Sequence, residues 1–367
     1  MTKGGDFKRA VRREARASGL SYTQALARRG PDRGTVDERI ASWRRWRRVD
    51  GLTEHFATTY DVHVVSITTL SEHGGGIFKV DLADHATAWV VRVVPPAART
   101  PESIGEDVKI LRLLEHAGFP AERCAHENPI SSYGGQTVLV TTHVAGTARP
   151  NTVEHARRLG DALGRLHAID IDGEHIRDGG AWGHDPECIG KPIEDVRAAR
   201  GYLDAAVAHP ADDHDHIVSL RAALDDVDAC VGLPEALTTP RTGGPNVLVT
   251  DDGTPVFVDW KSGGRGPRLS AFSGLLSTAA RTPIAHDVVD AIVDGYSQHI
   301  RLTSAELDRL PGAIRLQPAY YAAWGYWRAV ANGHPPDGTE SWWPDDAASD
   351  AVADRVVARL ARPAVVR

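Results

Sequence analysis

Cysteine is scarce in this chain: 3 in 367 residues, at Cys124, Cys188 and Cys230, with no CxxC spacing. A disulfide framework and a thiolate zinc site are therefore not expected. Each cysteine reads as a small core or surface residue. Long apolar runs are missing too. No stretch approaches the roughly 18–20 uninterrupted apolar residues of a membrane span, and the opening residues lack the apolar core of a secretory signal. The expectation is a cytoplasmic protein with no membrane partner. With 42% hydrophobic and 25% charged residues, composition also excludes disorder, collagen and coiled coil. At 367 residues two domains are expected, because single cores stop growing near about 250–300 residues.

Charge is unevenly spread. Residues 1–50 hold 14 Lys and Arg against 6 Asp and Glu, although the whole chain carries a net charge of −7. Phe7, Val11 and Ala15, then Leu20, Ala25 and Leu26, recur at helical spacing among Lys8, Arg9, Arg12, Arg13 and Arg16. This predicts two short amphipathic helices broken at Ser18-Gly19. A second basic run follows at residues 43–48. Such a segment suits a protein partner, a polyanion such as nucleic acid, or the acidic remainder of the chain. The plainer alternative is a solvated helical extension.

Past residue 60 the pattern becomes strand-like. Val62–Leu70, Ile77–Leu82 and Trp89–Val94 read as three strands, the first pair joined by a turn containing Gly74, Gly75 and Gly76, where a backbone without Cβ atoms can approach a phosphate. Arg92 stands among apolar neighbours in the third strand and needs an acid. Glu106 or Asp107, in a helix from about Glu102 to His116, is the expected partner. The alternative is an outward Arg92 with both acids solvated. A strand over Val138–Thr141 leads through a turn to a helix that buries Leu159, Leu163 and Leu166. Three strands, helix, strand, turn and long helix is the order of a kinase small lobe passing through a hinge into a helical lobe.

In PNVLVTDDGTPVFVDW, Val247–Thr250 and Pro255–Val258 form a hairpin about the turn at 251–254. A register in which partner numbers sum to 505 sets Asn246 opposite Asp259. An amide and a carboxylate side by side suit Mg²⁺, a hard cation that takes oxygen ligands. Asp212–His216 reads as a solvated loop more than a metal site, and His167 as a structural histidine. The aromatics Tyr320, Tyr321, Trp324, Tyr326 and Trp327 read as helical core.

Taken together, residues 60–330 resemble the aminoglycoside phosphotransferase family of the protein-kinase-like fold, which includes choline and homoserine kinases. The resemblance rests on the glycine turn, Arg92, Glu106 or Asp107, the hinge LVTTHVAG, the helix end LGRLHAI, and NVLV followed by FVDW. It implies a two-lobed α+β fold: an N-terminal helical extension at 1–50, a nucleotide-binding lobe at 51–145, and a helical lobe with an acceptor cleft at 146–367. It implies ATP or GTP with Mg as cofactors, Thr141 to Val144, with His143 among them, along the base, and Asn246 and Asp259 as metal ligands. The acceptor would be a hydroxyl of a small molecule or peptide. The catalytic loop departs from the family pattern H-G-D-L-x-P-x-N: Thr239 stands for the His and Arg241 for the Asp five residues ahead of Asn246. The acid that follows D-W is replaced by Lys261, and the family's D-L-A by Ser270-Ala271-Phe272. Arginine stays protonated near neutrality and cannot act as a general base. The resulting expectation is an impaired kinase or pseudokinase; the alternatives are an active phosphotransferase and a regulator acting through residues 1–50.

Overall fold

A computed structural model describes residues 51–70, 76–95, 99–148, 152–182, 190–207, 214–239, 242, 246–280, 285–331 and 346–361. The expected N-terminal helices, Cys188, Asp212 and Asp213 lie outside these residues.

Helix α1 (Leu52–Tyr60) precedes strand β1 (Val64–Thr69), β2 (Ile77–Leu82) and β3 (Trp89–Val94). Helix α2 (Pro101–His116) begins where the Thr100 hydroxyl accepts from the Ser103 amide at 3.2 Å, with Pro101 in the first turn. Strands β4 (Ile130–Tyr133) and β5 (Gln136–Thr142) complete an antiparallel five-stranded sheet of order β1-β2-β3-β5-β4. Sequence patterning gave β2 and β3 with the observed bounds but missed α1 and the short β4.

Alternation divides the sheet into two faces. Phe78, Val80, Trp89, Val91, Val93, Val138 and Val140 face Leu52, Phe56 and Tyr60 of α1 and form one apolar core. The cross-strand register then puts Ile77, Arg92 and Leu139 together on the opposite face, next to Lys79, Val90 and Thr141.

The helical part follows: α3 (Val153–His167), α4 (Pro192–Val207) and α5 (His214–Asp225). Two short antiparallel pairs come next. Strand β6 (Glu235–Thr238) pairs with β9 (Gly264–Pro267), and β7 (Val247–Val249) with β8 (Pro255–Phe257). Helices α6 (Arg268–Ala279), α7 (Ala285–Tyr296), α8 (Ser304–Ala331) and α9 (Asp346–Leu360) close the chain. Leu159, Leu163 and Leu166 of α3 enter the largest core beside Ile292, Val293 and Tyr296 of α7, as the helical periodicity predicts. Tyr320 and Tyr326 are fully buried in a further core with Trp182 and Leu203, so the aromatic cluster is largely core. His216 stacks on Tyr326 with ring centroids 5.3 Å apart.

His167 is structural, as expected: it is buried, with its Nδ1 2.8 Å from the Tyr296 hydroxyl. Burial, then the charge of Arg268, lowers its pKa from 6.5 to about 3. The unfolded chain therefore binds a proton that the folded chain refuses between about pH 6.5 and 3. This group's contribution to stability is present above that window and is lost as pH falls through it. Urea denaturation over this range is expected to show a slope component of up to about 1.4 kcal/mol per pH unit that vanishes in His167→Phe. An unchanged slope in the variant would remove the assignment.

Candidate functional site

The two short strand pairs fix the ends of the two connections that the sequence singles out. Residues 239–246 leave β6 at Thr238 and enter β7 at Val247, while residues 258–263 leave β8 at Phe257 and enter β9 at Gly264. Thr238 pairs with Gly264, and Val247 with Phe257. Thr239 and Thr242 are buried in the first loop. The turn after β5 is locked onto the same hairpin, since Thr147 and Val249 exchange backbone hydrogen bonds at 3.0 and 3.1 Å. At Gly146 an added Cβ would stand 3.0 Å from the Val249 carbonyl oxygen, so this close crossing favours glycine.

The hairpin register differs from expectation by one. Val247 faces Phe257 and Val249 faces Pro255, a sum of 504, so Asn246 stands opposite Val258 and not Asp259. Gly253 is the cause. It adopts φ +83° and closes a three-residue loop, with the Gly253 amide bonded to the Thr250 carbonyl at 2.8 Å. The Val258 amide donates to the Asn246 carbonyl at 2.9 Å, so Asn246 and Asp259 remain diagonal neighbours.

Arg92 also differs from expectation. Its partner is neither acid of α2 but Glu122, which follows the helix in an irregular connection. One Arg92 nitrogen lies 2.8 and 3.1 Å from the two Glu122 oxygens. The other donates to the Thr141 hydroxyl at 2.9 Å, and that hydroxyl donates to Glu122 at 2.9 Å. The Asp259 amide donates to Glu122 at 2.7 Å. One carboxylate, its side chain only 3% exposed, thus joins β3, β5 and the loop after β8. Burial opposes the charge on Arg92, but Glu122 and then Asp259 outweigh it and hold the guanidinium above its ordinary pKa.

The acids of α2 serve elsewhere. Asp107 is buried between Arg99, at 2.6 and 2.8 Å, and Arg177, at 2.6 Å. Arg177 donates onward to the carbonyls of Trp260 and Gly263 at 2.8 Å, tying α2 to the loop that follows Asp259. Glu106 pairs with Lys109 at 2.6 Å. His143 is half-buried, and its amide bonds the Ala88 carbonyl at 2.8 Å. Burial, then Lys79, lowers its pKa. Thr141 commits its hydroxyl to Arg92 and Glu122. Gly76 opens β2 with φ +86°. Gly74, Gly75 and Arg241 lie outside the described residues. The structure therefore gathers Arg92, Thr141, Asn246 and Asp259, and it adds Glu122.

Asp259 occupies the left-handed region at φ 64°, ψ 66°, leading into a 3-10 turn over Trp260–Ser262. Aspartate is among the few side-chain-bearing residues that tolerate this conformation, and such outliers often mark functional sites. Its carboxylate is 22% exposed and lies 3.6 Å from the Lys261 ammonium. Asn246 lies diagonally across the hairpin from it, and both residue types offer oxygen donors of the kind a hard divalent cation takes. Among the described residues there is no cluster of three or more His, Cys, Asp or Glu able to hold a metal alone.

A five-stranded antiparallel sheet followed by a helical part that carries two short strand pairs is the fold shared with solved kinase-like phosphotransferases. The model of the family described as phosphotransferase enzyme family matches residues 74–310, and the chain belongs to that family. This bears out the resemblance carried by the motifs. In fold the chain is similar to a spectinomycin phosphotransferase solved with ADP and spectinomycin (TM-score 0.57, 11% identity, covering 86% of this chain and 99% of that one). It is also similar to macrolide 2'-phosphotransferase from Brachybacterium faecium (TM-score 0.54, 17% identity, 84% and 98% covered). A third similar structure is choline kinase from Streptococcus pneumoniae (TM-score 0.50, 13% identity, 84% and 97% covered). No curated protein matches the chain. Among the described residues, no helix is long and apolar enough to cross a membrane.

Proposed function

We propose that this protein binds ATP or GTP between its segments 51–145 and 146–367 and is an impaired phosphotransferase, in the manner of a pseudokinase. The observation that supports nucleotide binding is the shared carboxylate of Glu122. It fixes Arg92 of β3 and the backbone of Asp259 to one another, so the cation facing the phosphates and the loop carrying the metal ligand keep one geometry. Preorganised charge of this kind is the main contribution a protein makes to phosphoryl transfer. Asn246 and Asp259 would hold Mg²⁺, which when bound neutralises phosphate charge. Glycines 74–76 would cover the phosphates, and the segment around His143 would line the base.

Impairment follows from Arg241, which stands where the family pattern has the proton-accepting Asp. Loss of a general base costs on the order of 10²–10⁴ in rate. The likeness to a spectinomycin phosphotransferase solved with ADP and spectinomycin favours a small-molecule acceptor, and the acidic balance of residues 51–367 favours a cationic one. The location proposed is cytoplasmic, with residues 1–50 available to a protein partner or polyanion.

Calorimetric titration with ATP and GTP tests the proposal. Binding is expected, and any strengthening by Mg²⁺ is expected to disappear in Asp259→Asn, which retains the tolerance for a left-handed backbone. Transfer to an aminoglycoside panel is expected to rise in Arg241→Asp. The absence of binding to either nucleotide would sink the proposal.

A further inference from the structure

The 3-10 turn after Asp259 places Lys261 two residues further on and folds its ammonium back to 3.6 Å from the Asp259 carboxylate. The Lys261 side chain is 41% exposed and that of Asp259 22%, so both reach solvent at the mouth of the site. Arg92 already acts on Asp259 from the buried side. The Asp259 carboxylate is thus bracketed by two cations of the chain itself. A divalent ion approaching it meets a charge already partly compensated, together with the like charge of the ammonium. A polyphosphate at the same mouth meets the half-exposed Lys261 ammonium without any metal, while Arg92 is balanced by Glu122.

We propose that Lys261 is a tethered cation that takes over part of the charge-neutralising role of Mg²⁺, so that the site binds the polyphosphate of a metal-free nucleotide nearly as well as its magnesium complex. The proposal rests on the nucleotide site proposed above. Lysine suits the role because its ammonium is a compact point charge on a flexible stem that can follow a phosphate oxygen.

The test is calorimetric titration of the full chain with ATP, in excess EDTA and in excess Mg²⁺, for wild type, Lys261→Ala and Lys261→Arg. Wild type is expected to bind in EDTA within about threefold of its affinity in Mg²⁺. Lys261→Ala is expected to lose about tenfold in EDTA, the effect of about 1.4 kcal/mol, while its affinity in Mg²⁺ holds or improves. Lys261→Arg is expected to restore binding in EDTA. Because the Lys261 side chain is 41% exposed, the variants are expected to fold, and circular dichroism checks this. A wild type that needs Mg²⁺ by a hundredfold or more, with the same dependence in Lys261→Ala, would overturn the tethered-cation role and leave the nucleotide site standing. No binding of ATP in either condition would overturn both.

Discussion

Glu122→Ala is expected to lower the stability of the fold by about 3–5 kcal/mol, the cost of leaving a buried charge without its partner. The Glu122 and Arg92 side chains are 3% and 15% exposed, so water cannot take over from the missing carboxylate. The Thr141 hydroxyl and the Asp259 amide lose their acceptor in the same change, which adds two unsatisfied donors. The effect should be mostly undone in the double variant Glu122→Ala/Arg92→Met, because replacing both members of a buried pair by apolar groups is close to neutral. Urea midpoints of the two single variants and the double variant measure this directly. A loss below about 1 kcal/mol, typical of an exposed pair, would show that Glu122 does not hold the three elements together.

A loss of about 3 kcal/mol or more is expected for Gly160→Ala, at the upper end of the cost of overpacking. The two glycines of the α3–α7 contact face each other's helix backbone: a Cβ at Gly160 would stand 2.1 Å from the Ile292 carbonyl oxygen, and one at Gly295 2.1 Å from that of Arg157. The obstacle in both cases is backbone, so relief requires the helices to separate and to loosen the core formed by Leu159, Leu163, Ile292 and Tyr296. Gly105 of α2 supplies the control, since a Cβ there meets nothing within 4 Å. Gly105→Ala should instead raise stability by about 0.5–1 kcal/mol through helix propensity. Thermal unfolding of the two variants should move in opposite directions; a shift of the same sign and size in both would refute the close helix contact.

Much of the site was legible in the sequence because its residues lie in periodic elements. Alternation fixed β2 and β3 and placed Arg92 on a strand, and apolar spacing placed Leu159, Leu163 and Leu166 on the buried side of a helix. The NVLV and FVDW segments announced a hairpin with Asn246 and Asp259 near its open end. Glu122 was missed because it belongs to no such element. It follows Pro120 in the irregular stretch after α2, and its position comes from the Glu122 amide bonding Phe257, 135 residues further along, at 2.9 Å. The sequence around it, Phe119-Pro120-Ala121-Glu122-Arg123, carries no periodic signal that points to it.

Sequence by itself therefore determined the family and most of the order of elements, since these are properties of residue types at short spacing. Tertiary structure decided which acid answers Arg92 and that α2 is tied through Arg177 to the loop after Asp259. It also set the hairpin register. A buried charge takes the partner that the packing brings to it, and Asp107, one of the two acids expected from the sequence, is already claimed by Arg99 and Arg177. The left-handed Gly253 made the loop three residues long and moved every pair in the hairpin by one, a backbone choice that spacing alone leaves open.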